Sequence, residues 1–281
     1  MKDRILNEIL NRSYRFPESK DELETVKAIH DGTFESGGFG DPNFHCYAAV
    51  LNAVGEFATQ ALDSPHLSEF NNILADAQEE YMPGYPPMSP VTTSFFHAWM
   101  TLDVPIAPGG PTIGKLFGQW LRDKNSFSYL WKALDNLNRT YSSFYEVMGV
   151  GGDETVQLSD ILEQRVFQCW NSSGYSGRTG ELWYVRVLPP SLEGAKCSVT
   201  VSTPYVFRNE SRESVETFFR RCSSKDASFD VVEYLKHGAF PHYWLEYVFQ
   251  AYVDHTGEAI YVEGLPDDAA GRPHADGGKD L

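Results

Sequence analysis

A thiol, an imidazole and carboxylates are spread along this chain in an order that nucleophilic catalysis uses. Cys46 lies in "DPNFHCYAAVLNAVGEF", and His242 opens "HYWLEYVFQAYVDH", where Glu246 and Asp254 follow it. In such chemistry a thiolate attacks, an imidazole carries the proton, and a carboxylate on the far ring nitrogen fixes the tautomer. The residue types therefore allow a cysteine hydrolase or acyl-transferase with Cys46 as nucleophile and His242 as base. Arg186 and Trp183, inside the apolar run "ELWYVRVLPP", are candidate binding residues. A lone charge in such a run is costly to bury, so Arg186 must be paired or must face outward. His97 and Asp103, flanking "AWMTL", are candidate core hydrogen-bonding residues.

The order His242, Trp244, Glu246, Asp254 resembles the His-x-Trp-x-Glu…Asp strand pair of transglutaminase-like and papain-like enzymes. That resemblance implies a Cys at the start of an upstream helix, a place open to Cys46, and a His and an Asp on neighbouring strands. Local chemistry opposes the strand pair. A turn would have to fall within "YWLEYVFQAYV", which holds no Gly, Pro, Asn or Asp. The polar residues His242, Glu246, Gln250 and Asp254 recur every fourth position, and this period predicts a buried helix ended by Gly257. Residues twelve apart on a helix are about 18 Å apart, too far for a His–Asp bond. Asp41 and Pro42 are the start signals of another helix, running to Leu62, and they put Cys46 in its second turn. There the dipole has weakened, and Val50, Ala53 and Phe57 follow at helical spacing, so Cys46 also reads as a small buried hydrophobe.

Other chemistries have less support. The four cysteines, Cys46, Cys169, Cys197 and Cys222, form no C-x-x-C pair, and the histidines form no H-x-x-x-H group. No metal and no cofactor is expected. The glycines of "GGFGDPN" match no phosphate-loop pattern, and Asp41 would set a negative charge where phosphate should sit.

The elements that must position these residues are expected to form an α+β protein: a mostly helical body with a small antiparallel β-sheet or half-barrel. Residues 1–149 read as helical, ending in a long helix through "NSFSYLWKALDNLNRTYSSFYEVMG". Residues 150–207 alternate and carry turn chemistry, as a β module does. Residues 156–190 are similar to β modules of uncharacterised bacterial proteins, some of which carry a cysteine-rich zinc tail that this chain lacks. Residues 208–264 return to helices packed back on the body, and 265–281 read as a disordered tail. Ser19 and Glu22 form a candidate capping box. The proline-rich stretch 81–94, "YMPGYPPMSPVTTS", is either a rigid loop or a partner's ligand.

The 39 acidic and 23 basic residues give a formal net charge of −16. Such a surface repels phosphate backbones and anionic membranes and favours a basic protein as partner. The N-terminus has no apolar run of signal-peptide length, so a cytoplasmic location is expected. The leading functional expectation is an acidic, non-enzymatic interaction or regulatory protein of bacterial type. The Cys46–His242 enzyme is one alternative, and a small-ligand binder with an aromatic-lined pocket is the other.

Overall fold

A computed structural model describes residues 2–11, 14, 20–33, 40–82, 91–125, 127–152, 155–238 and 242–266. The Ser19 cap, the prolines of 83–90 and residues 267–281 of the expected tail lie outside them. The chain is a mixed α+β protein. Its helices include α1 (Lys2–Asn11), α2 (Lys20–His30), α3 (Pro42–Leu62), α4 (Ser68–Tyr81), α5 (Thr93–Ala98), α6 (Ile113–Asp123) and α7 (Trp131–Arg139).

Helix α3 forms where its start signals say. The Asp41 side chain accepts from the Asn43 N–H at 2.7 Å, and Pro42 occupies a position whose N–H needs no partner. Its small residues Ala49, Ala53, Ala58 and Ala61 are buried, so it lies close among its neighbours α2, α6 and α7. Helix α5, capped by the Thr92 hydroxyl, runs on into a π-helical turn, Trp99–Asp103. There Val104 N–H reaches back to the Trp99 carbonyl at 3.2 Å. The Thr101 hydroxyl donates to the His97 carbonyl at 2.6 Å, a local competitor for the helical ladder. Such turns recur at functional sites.

The strands are β1 (Ser142–Val150), β2 (Thr155–Asp160), β3 (Val166–Asn171), β4 (Leu182–Leu188), β5 (Ser198–Thr200) and β6 (Tyr205–Arg208). Helices α8 (Arg212–Lys225), α9 (Val231–His237) and α10 (Tyr243–Ala251) follow, then β7 (Tyr252–His255) and β8 (Ile260–Glu263). The sheet is larger than the expected one and is mixed. It has eight strands in the order β1-β2-β3-β5-β4-β6-β8-β7, and a further β1–β4 pairing closes β1, β2, β3, β5 and β4 into a barrel. The β3–β5 and β6–β8 pairs are parallel.

Strand β4 is the hinge of this architecture, and all seven of its residues are buried. One edge pairs with β1, while the other is shared by β6 and β5. Its alternation sorts two cores. Trp183, Val185 and Val187 face the barrel interior with Tyr145, Val147, Leu158 and Cys169. Leu182, Tyr184 and Leu188 belong to the core shared with the helices, and Arg186 shares their face.

Two expected helices are shorter than their sequence pattern predicts. The helix ending "SSFYEVMG" stops at Arg139, where the Thr140 N–H closes the last turn on the Asn136 carbonyl at 2.9 Å. "SSFYEVMGV" becomes β1, because its serines favour the helix little and its aromatic and β-branched residues pair well with β2 and β4. The helix from Tyr243 stops at Ala251 rather than Gly257, and Tyr252 turns extended. Tyr252–His255 joins the sheet as β7, and Gly257 instead lies in a hairpin turn closed by Thr256 N–H to the Ala259 carbonyl at 2.8 Å.

Candidate functional site

The lone charge of β4 is paired across the interior. An Arg186 Nη2 hydrogen donates to Asp103 Oδ2, and the two side chains are 3% and 8% exposed. Asp103 ends the π-helical turn, so that turn carries the carboxylate to β4. The pair is incompletely bonded. Arg186 Nε and Nη1 and Asp103 Oδ1 have no hydrogen-bond partner among the described residues. Buried polar groups left so are rare, because each forfeits its hydration.

Helix α9 closes over this centre. The Asp230 side chain caps it, accepting from Val232 N–H at 2.8 Å and Glu233 N–H at 3.0 Å. The Leu235 carbonyl accepts from the Tyr184 hydroxyl at 3.5 Å, which sets the last turn of α9 beside the β4 face that bears Arg186. Gly238 ends α9 at φ +61, and a Cβ there would lie 2.0 Å from the Tyr243 ring, so the α9–α10 connection requires glycine. The last turn brings Lys236 and His237, both half-buried. Burial lowers the Lys236 pKa; Asp103 partly offsets this, while Arg186 and Lys115 lower it further. His237 is likewise lowered by burial, against the opposing pull of Glu233 and Asp103.

Helix α6 packs on the same π-helical turn and carries Lys115. That lysine stands exposed in the first turn of α6 and lines a groove of about 500 Å³ between α6 and α7. Gln119, Arg122 and Asp123 continue one wall, and Asp135, Asn138 and Arg139 make the other. Arg122 is held by Asp135. Asn138 donates to the Gly114 carbonyl at 3.1 Å, while its own buried Oδ1 has no partner among the described residues. The helices meet closely at Gly114, where a Cβ would fall 2.6 Å from Asn138 Oδ1 and 2.8 Å from Leu102 Cδ2. The groove therefore backs onto the π-helical turn. Its polar, cation-rich walls suit an anionic group better than an apolar one.

Cys46 lies elsewhere, buried in the second turn of α3. Burial raises its pKa, and a hydrogen bond with Ser191 offsets this only in part. Its surroundings form a polar clamp. Asn43 Oδ1 accepts from Ser191 N–H at 2.8 Å and from its hydroxyl at 2.7 Å, and Tyr47 donates to the Pro189 carbonyl at 2.6 Å. This clamp ties α3 to the segment after β4. His242 sits at the N-cap of α10 with its ring 5.8 Å from that of Trp99. Its Nε2 is buried without a hydrogen-bond partner among the described residues, so no bond joins it to Cys46. Asp254 is on exposed β7, 3.8 Å from Arg208. Trp183 fills the barrel against Tyr175, with ring centroids 5.6 Å apart. Among the candidate residues, then, the structure joins Arg186 to Asp103 and sets Trp183 on the opposite face of β4.

Lys115, Lys236 and His237 carry no signal in the sequence that marks them out. They lie in ordinary amphipathic helices, where exposed charge is the default. No family model, curated protein or solved structure matches the chain.

Proposed function

We propose that the protein is a non-enzymatic ligand-binding or regulatory protein, and that the α6–α7 groove receives an anionic group of its ligand. The observation that carries this reading is a local reversal of charge. The chain holds 39 acids to 23 bases, yet cations outnumber acids along the groove, where Lys115 and Arg139 form no ion pair among the described residues. At physiological ionic strength the Debye length is about 8 Å, so the acidic surface beyond is largely screened from a ligand already in the groove. The rest of that surface keeps the chain soluble and suits a basic partner elsewhere. Among the described residues, no helix is long and apolar enough to cross a membrane.

The test is fluorescence anisotropy of a labelled hexaglutamate peptide with the full chain. Binding should weaken as salt rises and should be lost in the Lys115→Glu, Arg139→Glu double variant. Equal binding by the native protein and that variant, or no binding by either, removes the groove from consideration.

A further inference from the structure

We propose that the outer face of the barrel over β1, β2 and β3 docks a second copy of this chain, giving a weak two-fold dimer. The surface lies apart from the α6–α7 groove and does not depend on what that groove binds.

The helices cover part of the outside of the barrel, where Phe144 of β1 and Leu182 and Tyr184 of β4 enter their shared core. The rest of β1 and the outward positions of β2 and β3 differ. Val147, Val156, Leu158 and Cys169 fill the interior, so alternation turns Gln157, Val166 and Gln168 outward, and all three are exposed. Register sets Gly149, Gln157 and Gln168 side by side across the three strands, with Val166 beside Ser159 in the next row. The β1 irregularity between Val147 and Gly149 brings out Met148. Met148 is 46% exposed, and Val166, at 57%, is the most exposed large apolar side chain among the described residues. A Cβ on Gly149 would meet nothing within 4 Å, so the face is flat and open there to another chain.

The occupant follows from charge. At −16 per chain, two copies repel over most of their surface and can meet only where like charges are not opposed. Met148, Gly149, Gln157, Val166 and Gln168 carry no charge, and Glu146 at the rim is already held by Arg212 at 3.1 Å. The face is also self-complementary. A two-fold axis running along β2 lays β1 of each copy over β3 of the other. Gln157 then meets its own counterpart, and a primary amide both donates and accepts, so like pairs with like. Gln168 reaches into the open space over Gly149, and Met148 comes beside Val166. Three strands about 4.8 Å apart make a face well below the roughly 800 Å² per partner of a stable complex, which makes the dimer a weak one.

The experiment is sedimentation velocity of the full chain over a range of concentrations and salt. A dimer with a Kd on the order of 100 μM is expected. It should tighten as salt rises, because added ions screen the mutual repulsion. Gln157→Glu and Gln157→Lys should each weaken it by about tenfold or more, since each sets like charges against each other. An equimolar mixture of the two variants should associate at least as well as the native chain, because opposite charges then meet. Position 157 is exposed, and near-ultraviolet circular dichroism checks that both variants fold. A native chain still monomeric at about 500 μM overturns the proposal. A dimer that neither variant weakens, or that the mixture fails to recover, places the contact elsewhere and overturns it too. Dimerisation that weakens with salt has the same force, since it would rest on charge pairs this face does not hold. Hexaglutamate binding scores the groove separately.

Discussion

At the scale of single residues, the Arg186–Asp103 pair has the clearest energetic signature. Removing one partner strands a charge in the interior, so Asp103→Ala should cost about 3 to 5 kcal/mol. Replacing both with apolar residues of similar size, Arg186→Met with Asp103→Leu, should restore most of that loss, since neither desolvated charge remains. Urea unfolding of the two variants gives the comparison. A single variant as stable as the native protein would mean that the pair is hydrated. Cys46 behaves as an inert thiol for a different reason: enclosure disfavours its thiolate, and Ser191 only partly compensates. Iodoacetamide near neutral pH should label it slowly until the chain unfolds. Rapid labelling that depends on His242 would restore the enzyme reading.

At the scale of elements, α10 and β4 carry the most testable packing. Trp244 is 1% exposed, stacks on Tyr184 with centroids 5.3 Å apart, and donates its indole N–H to the Tyr234 carbonyl at 2.8 Å. Trp244→Ala should therefore cost about 3 to 5 kcal/mol, as large truncations in packed cores do. Hydrogen exchange should find the β4 amides of Tyr184 and Val185 among the slowest, because paired strands flank them and both faces are buried. Exchange there as fast as in β7 would refute the central place of β4. Elements with strong local signals were legible in the sequence. The Asp41–Pro42 start of α3 was one, and the nearly all-apolar run of β4 another. Arg186 was legible as a charge needing a partner, but not which partner, since Asp103 lies 83 positions away. The ends of α7 and α10 were not legible either. "TYSSFYEV" and "AYVDH" carry no Gly or Pro stop, and pairing with distant strands decides their conformation.

At the scale of the whole molecule, enclosed ionisable groups set the limits of stability at both ends of the pH range. His97, His237 and His242 have pKa values lowered chiefly by burial. The folded state thus binds fewer of their protons than the unfolded chain, and their contribution is complete above pH about 6.5 and is lost as pH falls through the folded values. Buried Asp160, raised by desolvation, acts oppositely at lower pH, since its folded form holds a proton that the unfolded chain releases. The alkaline limit is the steeper one. Tyr47, Tyr145, Tyr184, Tyr205 and Tyr247 are raised, each chiefly by desolvation, and the thiols of Cys46 and Cys169 are raised with them. Above the unfolded values, about 8.5 for thiol and 10 for phenol, the unfolded chain sheds protons that the folded chain keeps, so each such group drives unfolding as pH rises. Lys236 opposes this weakly, because its lowered pKa favours the folded state as pH climbs towards the ordinary lysine value. The melting temperature should consequently fall steeply above pH about 9.5. Apart from Tyr145 in the barrel, these phenols lie in the core that the helices share with the sheet, so they should ionise only when that core opens. Phenolate absorbance from these tyrosines should appear together with the loss of far-ultraviolet circular dichroism. Full phenolate absorbance while the helical signal is still native would show that these rings are open to solvent and that the aromatic core is not the enclosed one described.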